Sequence, residues 1–368
     1  MTLNQEFILM LDYLGFSKQK ILKFYKKFIN IDNLYELFKT NTETFYSLFS
    51  FEEIKKIKSA ISSGIGLKTA QKLAKLGIFA LFYGEDDYPE SLINIPDSPV
   101  VLYGIGDKSL LSGTLISIIG TRTPTRYGKD VTEIFTKSLS SAGLVTVSGL
   151  AYGLDGMVAS STLDVNGKTI AVLGGGLDKI YPSNNTELAR KIVKNGGLLL
   201  SEYLPGVRPQ AHFFIERNRI IAGLSLGLIV TEAGEESGTF STIKFALDYG
   251  KELFVVPGNI TAEKCKGTNK IIAEIPHSFT ISPVEVLERL GLDILNKSLD
   301  IVQNKIEISS EEKVILNLLK EDEISFDELQ ELTNFNVKTL TTLLTTMEIN
   351  GLIEKLPGNY YKVKIDSV

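Results

Sequence analysis

Glycines and small polar residues follow a series of short apolar segments in the middle of this chain. The first such cluster, Gly120-Thr121-Arg122, comes directly after residues 115–119. Glycine lets the backbone turn tightly and lets a ligand approach it closely. A helix that follows such a turn aims unpaired N–H groups and the positive end of its dipole at an anion. Five or six such clusters on one edge of a sheet predict a phosphate-binding rim rather than turn chemistry alone.

The candidate binding residues lie in these clusters or near them. Arginine supplies a planar pair of donors that suits phosphate, and an aromatic ring beside it can stack an unpaired base. The residues that we expect to bind DNA or phosphate are Gly120, Thr121, Arg122, Ser148, Gly149, Gly153, Asp155, Gly174, Gly175, Gly176, Lys179, Phe214, Arg217, Asn218, Arg219, Ser237, Gly238 and Thr239.

Structural roles compete with ligand binding at several of these positions. One of the two arginines Arg217 and Arg219 could instead form a salt bridge to Glu202 or Glu232. Phe214 could equally be a core residue. The sequence leaves these alternatives open.

The usual catalytic and cofactor-binding patterns are absent from the sequence. There is no G-x-G-x-x-G at the first helix and no P-loop motif. The 2 His residues lie outside the glycine clusters, and a single Cys excludes an intramolecular disulfide and a Cys/His zinc site. We therefore expect no cofactor, no metal and no catalytic residue. Asp155 and Glu232 could in principle do acid–base work, although Asp155 could more simply cap a helix or orient Arg122.

Short apolar segments alternate with stretches of helical periodicity between residues 86 and 295. Strands that are buried on both faces of a sheet have continuous apolar sequences, and helices between them cover the sheet. The pattern predicts an α/β, Rossmann-like doubly wound fold with a mainly parallel sheet, in which ligands bind at the carboxyl ends of the strands. The predicted strands are residues 115–119, 144–147, 170–173, 198–201, 226–231 and 253–256.

Different patterns flank this region on both sides. Residues 1–85 have helical periodicity, which predicts a helical, SAM-like domain, and the glycine turn at residues 63–66 resembles a helix-hairpin-helix module. After a polar linker at 296–309, residues 310–368 have the helix and strand order of a winged helix. Its third predicted helix contains one Lys, which makes DNA reading by this helix an unfavoured interpretation.

Charge is distributed unevenly along the 368 residues. The net charge is -5, yet residues 1–75 contain 12 Lys against 7 acidic residues, whereas residues 305–368 contain 7 Lys against 12. A polyanion site must therefore be a local patch or lie in the basic first region. The N-terminus lacks the pattern of a signal peptide and no apolar run could span a membrane, so we expect a cytoplasmic protein without a membrane partner.

The glycine clusters together resemble the signature of the DprA/Smf family of DNA-processing proteins. The segments are GTR at 120–122, SGLAYGLD at 148–155, AVLGGGLDKIYP at 171–182, SEYLPG at 201–206, RNRIIAGLS at 217–225, TEAGEESGT at 231–239 and FVVPG at 254–258. The resemblance is strong from about residue 86 to 280 and looser outside these limits. Ala159 stands where members of the family commonly have His.

The resemblance implies a function. Members of this family bind single-stranded DNA, form homodimers and load the RecA recombinase onto incoming DNA during natural transformation, and they are not known as enzymes. Two other functions remain open. One is a nucleotide-binding or nucleotide-hydrolysing enzyme of a related Rossmann-like family. The other is a regulator that binds duplex DNA through the winged helix.

Overall fold

A computed structural model describes residues 1–28, 31, 33–292, 309–319, 322–349 and 352–363. The chain divides into two compact units, Met1–Leu292 and Asp293–Val368. The four ranges that we predict, 1–85, 86–295, 296–309 and 310–368, divide the chain more finely and stay predictions. Residues 296–308 of the predicted linker lie outside the described residues.

The first unit begins with a group of helices, as the periodicity predicts. Capping boxes start two of them, where the Thr2 and Ser50 side chains accept hydrogen bonds from the third backbone N–H of the helix. Gly66, in the predicted hairpin, is packed so closely against α1 that a Cβ would collide with the Glu6 carbonyl. The helices are α1 (Leu3–Tyr13), α2 (Lys18–Phe28), α3 (Leu34–Thr40), α4 (Phe51–Ser62) and α5 (Ile65–Lys75), with a 3-10 helix at Thr42–Ser47.

An eight-stranded, mainly parallel sheet follows in the described residues, which confirms the predicted fold class. The strand order is β1-β2-β6-β5-β4-β3-β7-β8, and β2 pairs in antiparallel fashion with both of its neighbours, β1 and β6, whereas the other pairs of this sheet are parallel. The sequence analysis missed β1 and β2, and β1 lies within the range predicted to be helical. The strands are β1 (Phe79–Phe82), β2 (Val101–Gly106), β3 (Leu115–Ile119), β4 (Val145–Ser148), β5 (Thr169–Leu173), β6 (Leu198–Ser201), β7 (Gly227–Val230) and β8 (Glu252–Val255).

Two apolar cores lie on the two faces of this sheet. Because successive side chains of a strand point to opposite faces, Ile170 and Val172 join one core, whereas Ala171 and Leu173 join the other together with the N-terminal helices. Ala159 is buried in this second core. The further helices of the unit are α6 (Glu90–Ile93), α7 (Arg126–Ser141), α8 (Leu154–Asp164), α9 (Thr186–Lys194), α10 (Ala211–Leu224), α11 (Thr239–Asp248), α12 (Lys266–Glu274) and α13 (Pro283–Arg289).

The order of the strands places a crevice beside β3. From β3 the chain continues to β4 on one side, while β7 pairs with the other side of β3. Loops that leave neighbouring parallel strands in opposite directions open a crevice at their carboxyl ends, where ligands bind in doubly wound folds. The clusters after β3 and β7 are therefore the two that the fold brings together at this point.

The second unit has the element order of a winged helix. Its helices are α14 (Ser310–Leu318), α15 (Phe326–Thr333) and α16 (Val337–Ile349), and its strands are β9 (Ile324–Ser325), β10 (Ile353–Leu356) and β11 (Tyr360–Val363). The three strands form a sheet in the order β10-β11-β9. The predicted helices and two-stranded wing are confirmed, and β9 is an additional strand.

Candidate functional site

A cavity of about 450 Å³ opens at the carboxyl ends of β3 and β7. Ten of the predicted residues line it, and they come from the loops after these strands, from α8 and from α10. These ten are Gly120, Thr121, Arg122, Asp155, Phe214, Arg217, Asn218, Ser237, Gly238 and Thr239. The crevice beside β3 is therefore also the place where these predicted phosphate-binding residues converge.

The loop that carries Arg122 is held by the fully buried residue Glu232. The backbone N–H of Thr121 donates to the Glu232 carbonyl at 2.8 Å, and the Thr125 N–H donates to the Glu232 carboxylate at 2.9 Å. The Thr125 hydroxyl donates to the same carboxylate. Gly128 leaves room for this carboxylate, because a Cβ at residue 128 would collide with it. Both ends of the loop are thus fixed to one residue that follows β7.

Arg122 itself is exposed at the cavity. Its guanidinium lies 5.9 Å from the centre of the Phe214 ring, within the range of a cation–π contact. It forms no ion pair with any residue that the structure describes. Arg122 on the loop and Phe214 on α10 therefore place a guanidinium beside an aromatic ring. This guanidinium is available to pair with an anion.

Arg217 lies 6.0 Å from the centre of the same ring and has a different environment. It is buried, its Nη1 donates to the carbonyls of Gly149 (2.6 Å) and Val172, and its Nε donates to Asn218 (3.1 Å). Burial lowers the pKa of Arg217 to about 10, and the neighbouring Asp155 carboxylate opposes this shift. Burial in turn raises the pKa of Asp155, an effect opposed by Arg217. Arg217 therefore ties the ends of β4 and β5 together and forms the floor of the cavity.

Arg219 does not line this cavity, contrary to our prediction. Its Nη2 donates to both carboxylate oxygens of Glu202 at 2.7 Å, and its Nε lies 3.5 Å from Asp97. Burial alone would lower the pKa of Arg219, but the Glu202 carboxylate holds it above its ordinary value. The salt bridge considered for one of the two arginines is confirmed for Arg219, because residues two apart on a helix point to different sides.

Three predicted residues at the end of β4 and just after it, Ser148, Gly149 and Gly153, shape the site without lining it. Gly149 leaves room for Arg217 and Asp155, which both lie 2.5 Å from where its Cβ would be. Gly153 has a φ of +76°, and a Cβ there would also collide with the Thr121 carbonyl. Ser148 is buried at the end of β4, beside Asp155. These residues bring α8 up against the loop that carries Arg122.

The glycines after β5 are covered by the chain that leads into α10. A Cβ at Gly174 would press on the Phe214 ring, and one at Gly175 would press on Pro209. The Gly176 N–H donates to the Val207 carbonyl at 3.0 Å, and none of these three predicted glycines lines the cavity. Lys179, on the same loop, is exposed outside the cavity lining.

The opposite wall of the cavity is the start of α11. The Ser237 and Thr239 hydroxyls are 2.7 Å apart, and the Asn218 amide donates to Ser241 at 2.9 Å, which joins α10 to this wall. A Cβ at Gly238 would meet no other atom within 4 Å, so the backbone is open there. The positive end of the α11 dipole adds to the attraction of this wall for an anion.

Nine of the residues that line the cavity are absent from the predicted set, among them Lys264, Ile215 and Glu236. Lys264 is exposed, its Nζ donates to the Thr123 hydroxyl at 2.9 Å, and it forms no ion pair with a described residue. It adds a second mobile cation next to Arg122. Nothing in the local sequence around Lys264 marks it, since only the fold brings it to this loop.

The described part of the chain contains neither a metal-binding cluster nor a membrane-spanning helix. No group of three or more His, Cys, Asp or Glu residues is placed there to hold a metal ion. In the same residues, no helix combines the length and the apolar character that crossing a membrane requires.

Comparison with known proteins yields matches along most of the chain. Residues 79–291 match the family described as DNA recombination-mediator protein A, and residues 303–359 match the DprA winged helix domain. The chain is 44% identical to DNA processing protein DprA of Bacillus subtilis over 199 residues, which are 54% of this chain and 67% of that protein. It is 35% identical to protein Smf of Escherichia coli over 285 residues, 75% of each chain.

Solved structures give the same assignment. The X-ray structure of DprA from Streptococcus pneumoniae matches with a TM-score of 0.65 and 32% identity, over 78% of this chain and 98% of that one. A structure of the Helicobacter pylori protein, described in terms of its single-stranded DNA binding mode, matches with a TM-score of 0.53 and 33% identity, over 59% and 96%. With the family signature, these matches show that the chain belongs to the DprA/Smf family of DNA-processing proteins.

Proposed function

We propose that this protein binds single-stranded DNA in the cavity at the ends of β3 and β7, and that it acts as a recombination mediator. The observation that carries the proposal is Arg122, an exposed arginine beside Phe214 that forms no ion pair with a described residue. A guanidinium and a ring at this spacing suit a phosphate and the base next to it. The structure of the Helicobacter pylori relative, described by its single-stranded DNA binding mode, supports the same ligand class.

The binding that we propose depends on the backbone of the strand rather than on its sequence. The cavity offers two mobile cations, Arg122 and Lys264, and the N-terminal end of α11. These groups recognise phosphate, which every nucleotide carries, so sequence preference is expected to be weak. Affinity falls with salt because counterions are released, with a slope of about 0.7 per phosphate contacted on a log–log plot.

The site is proposed to bind without catalysis. Asp155 lies beside Arg217, and the Glu232 carboxylate accepts hydrogen bonds from Thr125. The two carboxylates that could do acid–base work therefore already serve the geometry of the cavity. Turnover of nucleoside monophosphates by the purified protein would overturn this part of the proposal and favour the nucleotide-hydrolysing alternative.

Two finer functions follow from the family resemblance and are proposed on that basis. We propose a homodimer that brings two cavities together, so that a long strand binds more tightly than a short one through avidity. We also propose that the protein protects incoming DNA and loads RecA on it during natural transformation, in the cytoplasm. RecA filament formation on single strands, followed with and without the protein, tests the loading step.

The central test is fluorescence anisotropy with labelled single-stranded and duplex DNA. Arg122→Ala is expected to weaken single-strand binding about tenfold or more, since a charge-assisted contact contributes about 1.5–3 kcal/mol. Arg190→Ala is the matched control, because Arg190 is exposed on α9 and pairs with Glu187, outside the cavity lining. Duplex preference, or equal affinities of the two variants, would refute the site and favour the winged helix or a nucleotide ligand.

A further inference from the structure

A second cavity, of about 520 Å³, lies between the N-terminal helices and helix α10 of the first unit. One wall is the start of α2, with Gln19 and Leu22, and another is α10, with Phe213, Ile215 and Arg219. Its volume is within the range of ligand-binding cavities, roughly 300–1,000 Å³. None of the functions proposed above uses it.

The two cavities share a wall. Helix α10 separates them, and Ile215 lines both of them while 55% of its surface is exposed. Phe214 and Asn218 on one side of this helix line the first cavity, and Phe213 on the other side lines the second. A strand that leaves the first cavity over the exposed apolar side chain of Ile215 enters the second directly.

Aromatic rings line the second cavity. The rings of Tyr203 and Phe213 have centroids 4.1 Å apart and an angle of 30° between their planes, and Phe16 lines the cavity as well. Arg219 also lines it, and its Nη1 is buried without a hydrogen-bond partner in the described residues. An apolar, aromatic space with an unsatisfied donor suits a planar ring that bears acceptors, which describes a nucleobase.

The charge on the wall formed by α2 favours a polyanion over a basic peptide. The helix contains five lysines and no acidic residue. One of them, Lys23, is exposed and lies one turn after Gln19, which lines the cavity, so both are on the same face of the helix. Three carboxylates line the cavity: Asp12 pairs with Lys18, Asp97 pairs with Arg219, and Glu216 accepts a hydrogen bond from the Tyr203 hydroxyl at 2.6 Å.

We propose that the second cavity is a base-binding subsite for the same single strand, reached over Ile215, with its phosphates beside the lysines of α2. This inference rests on the proposed function, because it assumes that the strand occupies the first cavity. With this subsite, the proposed DNA-binding site extends from the first cavity, which binds phosphate, along both sides of α10.

Photo-crosslinking of the full chain to a radiolabelled single strand tests the path. Benzoylphenylalanine replaces Ala211, which lines the first cavity, Gln19, which lines the second, or Lys56, which is exposed on α4 and lines neither. Crosslinks at 211 and 19 but not at 56 are expected. A crosslink at 211 alone overturns the second subsite and leaves the proposed function standing, whereas no crosslink at 211 contradicts the proposed function itself.

A cavity-filling variant gives an independent readout. Gln19→Trp fills the second cavity without removing one of its aromatic rings, and Gln19→Ala is its control. The filled variant is expected to bind a long oligonucleotide about tenfold more weakly, as loss of one base–aromatic contact implies. An oligonucleotide short enough to occupy only the first cavity should bind both variants equally.

Competition by a nucleoside monophosphate, measured on the two crosslinking variants, separates a base of the strand from a free nucleotide. If a nucleoside monophosphate competes with the crosslink at 19 but leaves the crosslink at 211 unchanged, the second cavity is a nucleotide site and the continuous path is wrong. Equal affinity of Gln19→Trp and Gln19→Ala for the long strand would likewise overturn the proposal.

Discussion

The loop after β3 and the helix α10 each place one arginine near the Phe214 ring, at nearly the same distance. Arg122 lies 5.9 Å and Arg217 lies 6.0 Å from the centre of Phe214. Arg122 is exposed and unpaired among the described residues, whereas Arg217 is 3% exposed and donates to two backbone carbonyls. Residue type and spacing are alike, so burial decides which of the two side chains can meet an anion.

The contrast between exposed and buried arginines separates two roles of positive charge in the site, binding an anion and stabilising the fold. On the loop, a cation without a partner keeps its full attraction for phosphate. In α10, each arginine is matched by a carboxylate or by carbonyl groups, because an unpaired buried charge would destabilise the fold. The exposed residues are therefore expected to control DNA affinity, and the buried ones to control stability and the shape of the cavity.

Loss of Arg219 is expected to have the largest effect on stability. Arg219→Ala leaves Glu202, which is 1% exposed, as a buried carboxylate without its bidentate partner. Breaking a buried pair in this way costs about 3–5 kcal/mol. Urea unfolding of the variant measures the change, with Arg190→Ala as a control that should cost only about 0–1 kcal/mol. Similar unfolding midpoints for the two variants would contradict the division between buried and exposed arginines.

Loss of Glu232 is expected to have an intermediate effect on stability, because this buried residue holds the loop that carries the exposed Arg122. Glu232→Ala leaves the Thr125 N–H and hydroxyl without their acceptor and should destabilise the fold by about 1–3 kcal/mol. The loop that carries Arg122 is then no longer held, so single-strand affinity should fall as well. Glu232→Gln keeps an acceptor oxygen and should retain most of the affinity. If Gln and Ala are equally harmful, the charge of Glu232 acts directly and its positioning role is wrong.

Much of the fold could be predicted because of how parallel sheets are buried. The strands from β3 to β8 are continuous apolar segments, which is the pattern that burial on both faces requires. β2 was missed because Gly104 and Gly106 interrupt its apolar pattern, and Gly104 exists to accommodate the Phe79 ring of β1. β1 is only four residues long and directly follows a helical region. Its apolar residues carry no local signal that separates a strand from a helix.

The site could be predicted only where the chemistry is local. Gly120 and Arg122 lie in the loop that leaves β3, and Gly238 lies in the loop from β7 to α11, so their position at the carboxyl edge of the sheet follows from the strand pattern. Which of Arg217 and Arg219 is paired with Glu202 depends on the direction of each side chain around α10, which needs the packed structure. The structure also shows that the loop after β5 is covered, because Pro209 and Val207 lie over its glycines.

Loss of Lys264 is expected to have the smallest effect on stability and on single-strand affinity. It allows two exposed cations of the cavity, Lys264 and Arg122, to be compared. It was missed because it lies 141 residues from Thr123, the residue to which it donates. Lys264→Ala should leave stability within about 0.5 kcal/mol, as for a surface residue, and weaken single-strand binding less than Arg122→Ala does. A flexible ammonium makes one point contact, whereas a guanidinium can donate twice.

Anisotropy titrations over a range of salt concentrations distinguish a contact from a general charge effect. If Lys264 touches one phosphate, the log–log salt slope of Lys264→Ala should be smaller by about 0.7 than that of the native protein. Lys194→Ala, which removes a lysine from the exposed end of α9 outside the cavity lining, should leave the slope unchanged. Equal slopes for the native protein and Lys264→Ala would remove Lys264 from the DNA contact and leave Arg122 as the principal cation of the cavity.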